Sequence, residues 1–189
     1  MNRVAWVAGV GVFGALVGPW SWPGEARAQP PGGPLPANAA AAPNGMVVLF
    51  DGRTLDGWEY DPKVWTVKDG AMRGTGKYGQ IFTKDDYGDF RLLVTSRVVF
   101  PEENTGNGHL GIVFWGDRPK EGTWGMAGAL QVQPPHGAMW DYRTNKNVRP
   151  TRVVPRQGLL YRDWHTTELL VKLKTGDVRM AVDGVEIIR

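Results

Sequence analysis

Short alternations of apolar and polar residues, each closed by a glycine turn, recur along this chain and leave little room for any but a β fold. Phe90 to Phe100 shows the pattern best: Phe90, Leu92, Val94 and Val98 fall on one face, and Arg91, Thr95 and Arg97 on the other. Val64 to Lys68 runs into Asp69-Gly70, a dipeptide suited to two-residue hairpin turns, and Ala71-Met72-Arg73 returns. Thr166 to Lys174 and Val178 to Val182 face each other across Thr175-Gly176-Asp177, and Asp183-Gly184 turns the chain toward Val185 to Ile188. An apolar run, Met46 to Phe50, is closed by Asp51-Gly52. No segment repeats at the helical period. Many short strands joined by glycine turns predict an all-β sandwich or barrel. Against this pattern Gly116 to Leu159 stands out for its glycines and prolines with Trp124, Trp140 and Tyr142, and reads as a long irregular segment, either a functional loop or a cover for a sheet edge.

The first 45 residues read differently. Arg3 precedes an apolar run from Val4 to Val17, and Ala26-Arg27-Ala28 offers a small-x-small cleavage site, so residues 1–28 are expected to be an export signal. The run falls short of the ~20 residues of a membrane span, and no stable span is expected after cleavage. Gln29 to Gly45 is rich in proline, alanine and glycine without periodicity, the composition of a flexible tether. Residues 46–189 remain for one domain, and the expected location is periplasmic or extracellular. The chain has no cysteine, which excludes a disulfide framework, a cysteine metal site and a thiol nucleophile. Its net charge is +3, and loss of Arg3, Glu25 and Arg27 with the signal leaves +2. Because the lysines and arginines are scattered, nucleic acid is not expected as a partner.

Within the domain, Ala129 to His136 (Ala-Leu-Gln-Val-Gln-Pro-Pro-His) reads as the floor strand of a binding site. Leu130 and Val132 face a core while Gln131 and Gln133 share the opposite side. Asn107 to Asp117 repeats the arrangement, with Leu110, Ile112 and Phe114 on one face and His109, Val113 and Trp115 on the other. Two such strands side by side make a platform for a polar ligand.

Several stretches together resemble the 3-keto-disaccharide hydrolase family, also described as a 3-keto-glucoside 1,2-lyase and 3-keto-2-hydroxy-glucal hydratase domain. They are Leu49 to Trp58, Trp65 to Gly70, Tyr87 to Leu92, Gly111 to Gly116, Leu130 to Gln133, Asp163-Trp164-His165 and Val182 to Val185, in an order that covers nearly everything after the tether. The resemblance implies a concanavalin A-like jelly-roll sandwich of two antiparallel sheets whose concave sheet holds a sugar. It also implies one or two strands beyond Val185, so that either the last strand or strands are missing or another segment closes the sheet. Two positions depart from the family: Gln131 stands where a glutamate is frequent, and Trp115 where an arginine is frequent.

The implied chemistry starts from a sugar oxidised at C3, whose C2 proton is acidic enough for a side-chain base to remove, with expulsion of the C1 substituent and later addition of water. An imidazole, with an ordinary pKa near ~6.5, suits such a proton transfer at neutral pH. His109 and His136 are the candidate bases, while His165, in phase with Leu169 and Val171, is expected to be structural. Trp115, Gln131, Gln133, Trp140, Asp141 and Tyr142 are the candidates for contacts with an oligosaccharide or glycoside; Trp58, Trp65 and Trp164 are assigned to the core. No acid pair at alternating strand positions supports a retaining glycosidase, and neither a Gly-x-Ser-x-Gly elbow, a His-Glu-x-x-His helix nor a phosphate loop occurs. No metal or cofactor is expected. The rival reading is a carbohydrate-binding module without catalysis.

Overall fold

A computed structural model of the protein describes residues 3–7, 10–18, 46–75, 79–98, 110–116, 129–144, 146–148 and 162–189, which form strands and turns with no helix among them. Two sheets of antiparallel pairs make the sandwich that the alternating pattern predicts. The first runs in the order β12 (Lys146–Val148), β11 (Ala138–Asp141), β10 (Leu130–Gln133), β9 (Gly111–Gly116), β1 (Arg3–Val7), β7 (Gln80–Thr83) and β4 (Trp58–Tyr60). The second runs β15 (Val185–Ile188), β14 (Asp177–Val182), β13 (His165–Lys172), β8 (Phe90–Val98), β2 (Val10–Gly18), β6 (Ala71–Gly74) and β5 (Trp65–Lys68), with β3 (Val47–Phe50) also paired to β2.

The inner faces share one core. Phe90, Leu92, Val94, Leu169, Val171 and Met180 from the second sheet meet Ile81, Ile112, Phe114, Leu130 and Val132 from the first, all of them buried. Phe90 and Phe114 touch edge to face across the sandwich with ring centroids 6.5 Å apart. Alternation is strict along β8, where Phe90, Leu92, Val94, Ser96 and Val98 are buried and the intervening residues are not. The hairpin turns behave as their sequences demand. Asp69 and Gly70 have φ of 54° and 74°, and Asp183 and Gly184 have 50° and 77°, the doubly positive geometry whose twist matches that of the flanking strands.

Three sequence expectations are corrected. The stretch 116–159 is not irregular throughout: β11 pairs with β10 through Leu130↔Asp141 to Gln133↔Ala138, and β12 adds to β11. A four-residue turn, Pro134 to Gly137, is all that separates β10 from β11, with His136 N and Gly137 N both donating to the Gln133 carbonyl, at 3.1 and 3.0 Å. Trp164 is half-buried rather than core, with the Arg97 guanidinium 4.8 Å above its ring centroid. Trp115 leaves the face of Val113, for a reason given below.

Arg3–Val7 and Val10–Gly18, inside the stretch read as an export signal, lie centrally in the two sheets. The strand β1 sits between β7 and β9. Its neighbour β2 pairs with β8 from Val10↔Val98 to Gly18↔Arg91, and with β6 and β3 on its other side.

Candidate functional site

The outer face of the first sheet carries the polar residues singled out in the sequence. Cross-strand register places Val113, Gln131 and Trp140 in one row across β9, β10 and β11. Gln133 is two residues along on the same face. Gln131 is buried at 2% exposure although it points away from the core, and its Oε1 accepts two hydrogen bonds, from Gln133 Nε2 at 3.2 Å and from the Tyr142 hydroxyl at 3.3 Å. Tyr142 is held over the strand because its backbone N donates to the Ala129 carbonyl at 3.0 Å. Its ring meets Trp140 edge to face at 6.4 Å, and burial raises its phenol pKa above the ordinary value, keeping the hydroxyl a donor. Room for the Gln131 amide comes from Gly111: a Cβ there would fall 1.9 Å from Gln131 Nε2. Gln131, Gln133, Trp140 and Tyr142 thus form one cluster: the shared face of the two glutamines follows the alternation along β10, and the pairing of β11 brings in Trp140 and Tyr142.

The remaining candidates lie elsewhere. Asp141 sits opposite Leu130, one residue out of phase with Trp140 and therefore toward the core side of β11. Its carboxylate is occupied by Arg143: the backbone N and Nε donate to Oδ1 at 2.8 and 2.9 Å, and Nη2 to Oδ2 at 2.8 Å. The side-chain bond from Arg143, with its backbone N–H and charge, holds the Asp141 pKa below the usual carboxylate value. Trp115 has φ of 64°, and β9 carries an extra residue against β1 between Val113 and Gly116. Such a bulge re-aims a side chain. Trp115 accordingly packs on the core cluster beside Phe114, ring centroids 5.2 Å apart, with no hydrogen-bond partner among the described residues for its buried indole N–H.

His136 lies beyond the cluster, exposed on the turn after β10. Burial of its ring, and then repulsion from His165, lower its pKa below the ordinary imidazole value, which leaves it neutral at neutral pH. His165 is the structural histidine that its phase predicts: it is buried, and its Nδ1 donates to Asp183 Oδ2 at 2.9 Å. Asp183 Oδ1 in turn accepts from Thr166 N at 2.9 Å, so the aspartate ties the start of β13 to the β14–β15 turn. Ser96, Leu110, Pro134, Pro135 and His165 line a small cleft at this end of the sandwich. The aspartate was missed in the sequence because its pairing depends on hairpin register. His109, Asp117 and Trp124 lie outside the described residues.

The chain belongs to the 3-keto-alpha-glucoside-1,2-lyase-like domain family, whose sequence model matches residues 45–189. This family is carbohydrate-active and concanavalin-like, in agreement with the sandwich. No curated protein and no solved structure matches the chain. Among the described residues no helix is long and apolar enough to cross a membrane.

Proposed function

We propose that the domain cleaves 3-keto-glycosides by elimination, recognising the sugar on the outer face of the first sheet. The observation that carries this reading is the Gln131–Gln133–Tyr142–Trp140 cluster in a chain of this family. Amides and a phenol suit sugar hydroxyls, and Trp140 offers an aromatic face to a ring. In the proposed reaction a base takes the C2 proton, the electron pair moves toward the C3 ketone as an enolate, and its collapse breaks the C1–O bond. The departing oxygen takes a proton, giving a 3-keto-2-hydroxy-glucal, and addition of water to the glucal completes a net hydrolysis. His136, neutral at neutral pH, is the base that the described residues offer, with His109 the second candidate from the sequence. Asp141, already held by Arg143, is assigned to the turn and not to the sugar.

The test is release of the leaving group from a 3-keto-glucoside by the purified, folded protein. No release at any pH from 5 to 9 sinks the reading. With His136→Ala the rate is expected to fall about 10²–10⁴-fold, the usual contribution of a positioned base. An unchanged rate removes His136 and leaves His109.

A binding module is the second reading, favoured by the neutral amide of Gln131 at the centre of the cluster. Equal affinity for a 3-keto-glucoside and its parent glucoside, without turnover, supports it. We also propose export through residues 1–28. Cleavage after Ala28 would withdraw β1 and β2 from the sheets, so the N-terminal mass of the secreted protein distinguishes a cleaved chain from one that keeps both strands.

A further inference from the structure

We infer that the strands from β3 onward form a strand-accepting site whose ligand is residues 3–18, an apolar arch of two strands that stays bound when its connection to β3 is cut. This goes beyond the proposed reaction and stands independently of it. The strands β3 to β7 pair only with one another or with the arch. The strands β8 to β15 likewise pair only with one another or with the arch. Among the described residues no ladder joins the two groups directly. In the first sheet β1 bridges them, with Trp6 opposite Ile81 of β7 on one side and Ile112 of β9 on the other. In the second sheet β2 does the same, with Val12 opposite Met72 of β6 and Ser96 of β8. Only Ala8 and Gly9 separate the two bridging strands.

The two groups nevertheless share one apolar core. Trp58, Trp65, Met72 and Ile81 of the first belong to the same buried cluster as Phe90, Ile112, Phe114 and Leu169 of the second. Without the arch, inward edges of β6, β7, β8 and β9 would lose their partners beside that core, and unpaired backbone groups in such a place favour refilling the slots with strands. The arch suits them: Arg-Val-Ala-Trp-Val and Val-Gly-Val-Phe-Gly-Ala-Leu-Val-Gly carry no charge beyond Arg3, the near-continuous apolar run of a strand covered on both sides. Its covalent link is loose by comparison. Val17 lies opposite Val47, yet residues 18–46 join these neighbouring positions, where a hairpin needs about two to five residues. Such a connection supplies local concentration, on the order of millimolar, and not the pairing itself. Cleavage after Ala28 falls within it and leaves the arch whole.

The test uses the full chain with a protease recognition sequence in place of residues 31–37, folded first and then cut. The N-terminal fragment is expected to co-elute with the rest on size exclusion, and its amide hydrogens to exchange as slowly as those of β8. Tm should become dependent on concentration, as for any fold stabilised by a bound partner. Freed of the fragment in denaturant, the rest should lose its cooperative melt and regain it with a synthetic peptide of residues 1–20. Release of the fragment while the rest keeps its Tm overturns the inference. A large fragment that folds without the peptide, either as a monomer or as a dimer that fills the slots from a second copy, overturns it as well. Val12→Pro in the uncut chain needs no refolding step. It removes a ladder N–H from the middle of the second sheet, and should lower Tm by roughly 6–12 °C or abolish folding. An unchanged Tm in that variant contradicts the inference.

Discussion

The two outer faces of this sandwich occupy equivalent places and are built from opposite chemistry. On the second sheet the face is a ladder of closed pairs: Arg91 with Glu168, the Thr95 and Thr166 hydroxyls 3.0 Å apart, and Arg179 with Glu186. The Arg91 and Glu168 side chains keep 20% and 17% of their surface in solvent. On the first sheet the corresponding positions hold Val113, Gln131 and Trp140, and Gln131 is almost wholly covered. Partly solvated ions can be exchanged for water at little cost, so their pairing says little about function. A covered amide has no such exchange, and whatever bonds it makes or lacks are fixed by the fold. For that reason the proposed recognition role is placed on the first face.

The largest effect on folding is expected from Gly111→Ala. Its new Cβ overlaps the Gln131 amide, and overpacking of this kind costs about 1–3 kcal/mol, or a fall in Tm of roughly 2–12 °C at ~2–4 °C per kcal/mol for a chain of this size. Binding of the keto sugar should be lost with it, since Gln131 must rotate away. A normal melting curve with normal binding would break the comparison. Tyr142→Phe comes next. Loss of its 3.3 Å bond to Gln131 removes about 0.5–1.5 kcal/mol, to be read by chemical denaturation.

On the opposite face, Glu168→Gln should change stability by no more than ~1 kcal/mol and leave sugar affinity untouched. An effect on sugar binding there would place recognition on the wrong sheet. The smallest expected change belongs to the turn between β10 and β11. His136 has a folded pKa below its unfolded one, so the unfolded chain binds more protons in between. Its contribution is therefore complete above the unfolded value near ~6.5 and is lost as pH falls through it. A Tm–pH profile should drop on the acid side of that value and flatten in His136→Asn; a drop of the same size in the variant assigns the titration to another group.

The strands legible in the sequence are those whose two faces meet different surroundings. In β8 the alternation is complete because one side meets the core and the other carries Arg91, Thr95 and Arg97. The Asp-Gly turns were legible because their doubly positive φ admits few other residues. By contrast β11 and β12 were hidden among turn residues: Ala138–Asp141 carries Trp140 and Asp141 on opposite faces, and only its register with β10 reveals which is which. Of the site, Gln131 and Gln133 share a face as the alternation implies, while Trp140 and Tyr142 join them only through the pairing of β11 with β10. Trp115 does not, because a left-handed residue in a bulge reverses the parity on which its placement depended. Neither the Asp183 partner of His165 nor the central strands β1 and β2 follow from local pattern, since both are set by pairing between distant segments.

The most direct test is a crystal structure with a slowly cleaved 3-keto-glycoside bound. The sugar should lie on the outer face of β10, its polar atoms within about 3 Å of the Gln131 or Gln133 amide as a hydrogen bond requires, with Trp140 and Tyr142 beside the ring. A sugar seated on the ion-pair face of the second sheet would contradict the account.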